Sequence, residues 1–94
     1  MEVKYRLRYQ EHVANIDIPG LPLNEKSRIE SAILQKLRTM PASFGKPLRN
    51  SLKGHWTLRV GDYRVVYRII GDVVHIFAIG HRSVIYNIAE HRVG

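Results

Sequence analysis

Ninety-four residues, 45% of them hydrophobic, are enough for one buried core and too few for two, which excludes a multidomain enzyme. The absence of cysteine excludes a disulfide framework, a thiol nucleophile and any zinc site built on thiolates. Fifteen Lys and Arg against eight Asp and Glu give a net charge of +7, a surplus that points to an anionic partner such as nucleic acid, the ribosome or an acidic protein segment.

No apolar run approaches the ~20 residues a bilayer requires. Charges at Glu2, Lys4 and Arg6 leave no apolar signal region, so a soluble, cytoplasmic chain without membrane contact is expected. The histidines follow neither HxH nor HExxH spacing, and no metal or cofactor is expected.

Val3 to Tyr9 alternate apolar and basic residues and predict a half-buried strand with a basic outer face. Gln10 to Ile16 predicts a short helical turn, broken by Pro19, Gly20 and Pro22. Ile29, Ile33, Leu37 and Met40 recur at helical spacing and predict a helix from Glu25 to Thr39, with Asn24 as N-cap and Pro41 as the stop. Pro41 to Asn50 reads as a loop.

From His55 onward the pattern is β. Gly61-Asp62 and Gly71-Asp72 each mark a two-residue hairpin, giving a meander through Val60, Tyr63 to Ile69 and Val73 to Ile79. Val84 to Arg92 predicts a terminal helix. The expected architecture is α+β. One domain spans residues 1–94, and its single antiparallel sheet, an N-terminal strand plus the meander, carries helices packed on one face.

Two-residue turns fix which side chains lie opposite one another. Arg59 then faces Arg64, Thr57 faces Val66, His55 faces Arg68, Arg68 faces His75, Val66 faces Phe77 and Arg64 faces Ile79. One face collects Trp56, Leu58, Tyr63, Val65, Tyr67, Ile76 and Ala78 as core. The other collects His55, Thr57, Arg59, Arg64, Arg68 and His75. Like charges directly opposite one another are destabilising, so Arg59 against Arg64 suggests a site for an anion.

The stretch from Leu52 to Arg68, with Trp56, Leu58, Arg59, Gly61, Asp62, Tyr63, Arg64 and Tyr67 at its centre, is followed by Ile79-Gly80-His81-Arg82 and Tyr86. This pattern resembles the RelE/ParE toxin superfamily, and the element order matches over essentially the whole chain. The resemblance implies a type II toxin of one of two kinds. In RNA-cleaving members the 2′-hydroxyl of ribosome-bound mRNA attacks the adjacent phosphate without a metal. In ParE-like members DNA gyrase is inhibited by protein contact alone.

For the first kind the resemblance assigns Arg64 to the scissile phosphate. It assigns Arg82 to the leaving oxygen or the transition-state charge, and Tyr86 to stacking on a base. The cleaving members carry lysines on the second strand, where this chain has His55 and Thr57. His55 is therefore the candidate base, since a reference pKa of about 6.5 suits proton transfer near neutrality. Lys46, Arg49, Lys53, Arg59, Arg68 and His81 are the candidate RNA contacts. Structural uses compete: Arg82 could pair with Glu90, Tyr86 could pack the terminal helix, and His55 could be a bystander. The resemblance also implies a cognate antitoxin, with promoter DNA bound only through it. A catalytically degenerate, antitoxin-binding member is the third alternative.

Overall fold

The computed structural model describes residues 4–93, and the start of the first predicted strand at Val3 lies outside them. Strand β1 (Arg6–Tyr9) leads into a wide helical turn, Val13–Asp17. Helix α1 (Leu23–Ala32) continues through a wider-wound stretch, Ile33–Leu37. A short helix α2 (Pro41–Phe44), a two-residue strand β2 (Lys46–Pro47) and a 3-10 turn (Asn50–Leu52) occupy the predicted loop. Strands β3 (Trp56–Val60), β4 (Tyr63–Ile70) and β5 (Val73–His81) form the meander, and helix α3 (Ile85–Val93) follows.

The α+β reading with one sheet holds, and three of its details are corrected. The sheet is mixed: its five strands run β1-β5-β4-β3-β2, and β1 lies parallel to β5 while the other pairs are antiparallel. Helices cover both faces. The α1 side buries Val13, Ile29, Ile33 and Leu37 against Leu58, Val65, Tyr67, Val74, Ile76 and Ile79. On the opposite side α3 places Ile85 and Ala89 on Leu52, Val66 and Ala78. Finally, α1 begins at Leu23 behind Pro22, so Asn24 lies inside the helix and is not its cap.

The second face departs from expectation because β5 carries a bulge. Tyr67 pairs with Ile76 and Val66 with Ala78, leaving Phe77 unpaired between them. Beyond it the register moves by one, so Val65 meets Ile79 and Arg64 meets Gly80. Ala78 thereby joins Val66 on the α3 face instead of the α1 core. A methyl group on Gly80 would lie 3.3 Å from Ile85 Cδ1, so the glycine lets α3 approach the sheet.

A buried contact holds the segment ahead of β2. The Tyr67 hydroxyl donates to the Pro41 carbonyl at 2.6 Å, and burial pushes its phenol well above the ordinary value. Gly45 crosses directly over that hydroxyl, and a side chain there would overlap it. This contact sets the path of the chain into β2. Gly45→Ala is expected to destabilise the fold by about 1–3 kcal/mol through overpacking. Thermal unfolding checks this, and Tyr67→Phe in the same chain, which removes the clashing oxygen, should recover part of the loss.

Candidate functional site

Residues directly opposite one another in paired strands share a face, so the sheet register orders the basic side chains into rows. Lys46, Thr57, Val66 and Ala78 form one row across β2, β3, β4 and β5. Arg59, Arg64 and Gly80 form the next, one step nearer the Gly61-Asp62 turn. Beyond the turn the Arg82 amide donates to the Asp62 carbonyl at 2.8 Å, which carries Arg82 alongside the second row.

Arg64 is the most constrained of these cations. Its Nη1 donates to the Gly61 and Tyr63 carbonyls at 3.0 and 2.9 Å, and its other donors have no partner among the described residues. Glycine at 61 supports the turn with φ +60°, a left-handed conformation that side-chain-bearing residues rarely adopt. Arg59 is exposed directly opposite. The Arg82 Nε stands 3.9 Å from Asp62 Oδ1, with the two side chains 63% and 70% exposed, a loose pair that leaves the guanidinium available. Its carboxylate partner is therefore Asp62 and not Glu90. Tyr86, in the first turn of α3, is half-buried against the second core, so packing accounts for part of its surface.

The other predicted site residues separate from this group. Arg68 and His75 form a third row with Arg8 of β1. They lie four residues along β4 from Arg64, about 13 Å away. Between them α3 sits on Val66 and Ala78, so the single basic face expected from alternation is divided in two. Arg49 and Lys53 are exposed on either side of the 3-10 turn, off the strands. His81 is opposite Tyr63, and the two rings meet edge to face at 5.6 Å. Its Nδ1 accepts from the Ser83 amide at 3.1 Å and contacts Ser83 Oγ at 2.8 Å. The side chain thus belongs to the α1 face and not to the Arg64 face.

His55 is the main correction among the site residues. Only 7% of it is exposed, its ring lies 4.8 Å from that of Phe77, and its Nδ1 is buried without a hydrogen-bond partner. Alternation already puts Phe77 on this face, and the packing of its ring on His55 supplies the cover. Burial, and after it the positive charge of Arg68, lowers the His55 pKa from 6.5. The native state thus binds this proton less readily than the unfolded chain. Stability contributed by neutral His55 is present above about pH 6.5 and is lost as the pH falls toward the lowered native value. His55→Phe is expected to flatten this acid limb in denaturant titrations across that window.

Asp17 and Arg92 form a structural site that spacing did not reveal. Arg92 Nη1 and Nη2 meet Asp17 Oδ2 and Oδ1 at 2.7 and 2.8 Å, with side chains only 16% and 5% exposed. Asp17 Oδ2 also accepts the Ile79 amide, and Arg92 reaches the Phe77 carbonyl. This bidentate pair fastens α3, and Tyr86 with it, to the sheet. Seventy-five residues separate the partners, so no local motif announces them.

Comparison with known proteins bears on the family and the fold. Residues 20–86 match the family model described as ParE toxin of type II toxin–antitoxin system, parDE. The toxin RelE of Mycobacterium tuberculosis is 39% identical over 72 residues, 74% of either chain. The toxin RelG of the same organism is 33% identical over 84 residues, 87% of this chain and 95% of its own. Among solved structures, the toxin–antitoxin complex RelBE2 of M. tuberculosis contains a similar chain. It superposes with a TM-score of 0.79 at 31% identity, covering 86% of this chain and 94% of that one. The chain belongs to the RelE/ParE superfamily and is a RelE-like toxin of a type II toxin–antitoxin system.

Proposed function

We propose that this toxin is an endoribonuclease that cuts ribosome-bound mRNA in the cytoplasm and is neutralised by a cognate antitoxin. One observation carries the reading: Arg59, Arg64 and Arg82 gather at the Gly61-Asp62 end of one sheet face, with Tyr86 on the helix beside them. Three guanidinium groups suit a transition state whose charge grows on phosphate oxygens. In the reaction the bond from the 2′-oxygen to phosphorus forms and the bond from phosphorus to the 5′-oxygen breaks. The 2′ proton passes to a base and the 5′-oxygen gains a proton, leaving a 2′,3′-cyclic phosphate and a 5′-hydroxyl.

Arg64 would hold the scissile phosphate, Arg82 the charge at the leaving oxygen, and Tyr86 an adjacent base by stacking. Arg59 and the exposed Arg49 and Lys53 would contact flanking phosphates. The +7 charge also suits an acidic antitoxin segment, and the RelBE2 neighbour is itself a toxin–antitoxin complex. Promoter DNA would be bound only through that partner.

A second reading, non-enzymatic inhibition of DNA gyrase, is favoured by the ParE description of the matching family model and by the absence of lysine from β3. Induced expression separates the two. The nuclease reading expects growth arrest with truncated messages that disappears in Arg64→Ala/Arg82→Ala. Accumulation of cleaved gyrase–DNA complexes would move the assignment to the second reading, and harmless expression would leave a degenerate antitoxin-binding member.

A further inference from the structure

The nuclease scheme leaves the 2′ proton without an acceptor, and the structure narrows who can take it. Arginine does not give up its proton in proteins, so Arg59, Arg64 and Arg82 are excluded. His55 is buried beneath the Phe77 ring, and His81 is on the other face. His75 is in the row beyond α3. The amine nearest the arginine group by strand register belongs to Lys46, and among the described strands no other residue is a lysine.

Lys46 pairs directly with Thr57, so its side chain leaves the sheet on the same face, with its Cβ about 4.5–5.5 Å from that of Thr57. Thr57 is short, its Oγ1 is buried without a partner, and Val66 follows in the same row. The exposed lysine stands beside this row, and Arg64, on the same face, is two strands over from it and two residues along. Its backbone is held at both ends. Gly45 packs on the Tyr67 hydroxyl, and the Leu48 amide donates to the His55 carbonyl at 2.9 Å.

We infer that Lys46, reaching across from the edge strand β2, supplies the amine at the cleavage site and takes the proton from the attacking 2′-oxygen. The inference rests on the nuclease reading. An amine placed on β2 opposite Thr57 serves the same space as one carried on β3 at position 57 itself. Only a neutral amine accepts a proton, so wild type and Lys46→Ala should differ in the pH profile of cleavage.

The test is single-turnover cleavage of a message held in purified ribosomes, at saturating toxin. Lys46→Ala is expected to cut at least ~100-fold more slowly, the usual scale of a lost general base, with unchanged thermal unfolding. Lys46→Arg should be equally slow, because its charge is kept and its basicity is not. The exchange Lys46→Ala/Thr57→Lys should recover about tenfold or more of the loss, since the amine returns from the neighbouring strand. Activity retained in Lys46→Arg, or a Lys46→Ala rate and pH profile matching the wild type, overturns the assignment alone. No cleavage by the folded, antitoxin-free wild type overturns the nuclease reading itself, and this assignment with it. Should the exchange variant fail to fold, the comparison of pH profiles between wild type and Lys46→Ala decides.

Discussion

Arg64→Ala is expected to slow mRNA cleavage by about 10²–10³-fold, the scale on which one preorganised donor to a developing oxyanion acts. The expectation comes from how the side chain is held. Nη1 is fixed to the Gly61 and Tyr63 carbonyls, so the guanidinium keeps its orientation before substrate arrives, with other donors left to meet phosphate. Losing these two hydrogen bonds should lower stability only modestly, roughly 0.5–1.5 kcal/mol each, because the group is partly solvated. Arg64→Lys should recover little. A lysine keeps the charge but not the fork that binds the turn and the phosphate together. Parallel measurement of single-turnover rates and thermal unfolding separates the catalytic loss from the structural one.

Arg92→Ala is expected to cause the largest loss of stability, about 3–5 kcal/mol, because it strands a carboxylate that is 5% exposed. For a chain of this size that corresponds to a fall of more than about 10 °C in the melting temperature. The loss should be far smaller in Asp17→Asn/Arg92→Met. In that chain both charges are removed together, and an amide oxygen still accepts the Ile79 N–H. Such a contrast would show that the damage in Arg92→Ala comes from the unpaired charge and not from the missing side chain. The consequence reaches the Arg64 face, because α3 carries Tyr86 and covers Val66 and Ala78. Helix α3 in Arg92→Ala should exchange its amide hydrogens faster than the strands beneath it.

Both hairpin turns were legible residue by residue. Gly61 and Gly71 adopt φ +60° and +59°, and two-residue turns then set Arg59 opposite Arg64 and Arg68 opposite His75, as alternation requires. The helix expected from Glu25 was legible from its apolar spacing, although Pro22 starts it two residues early. Prediction failed first at Phe77. Residues 76–79 are uniformly apolar, so no alternation marks which one leaves the ladder, and the bulge reverses the faces of everything after it. The bulge moved Ala78 out of the α1 core and placed His81 on the far side, while the Phe77 ring covers His55.

The parallel pairing of β1 with β5 and the clamp from Asp17 to Arg92 join distant parts of the chain, and no local pattern encodes them. Arg64, Arg82 and Tyr86 became candidates through family resemblance, Arg64 through strand parity as well, and all three lie toward the α3 face of the sheet. Lys46 was readable only as a loop cation, since β2 is two residues long and exists through its pairing with β3.

The most direct test of the nuclease account is primer extension on an mRNA paused in purified ribosomes, using the wild-type toxin and Arg64→Ala/Arg82→Ala. The account predicts discrete cuts in the ribosomal A site with the wild type and none with the double variant at equal folded concentration. Cuts that persist in the double variant would contradict the placement of the chemistry on this face. Their absence with antitoxin-free, folded wild-type protein would contradict the nuclease function itself.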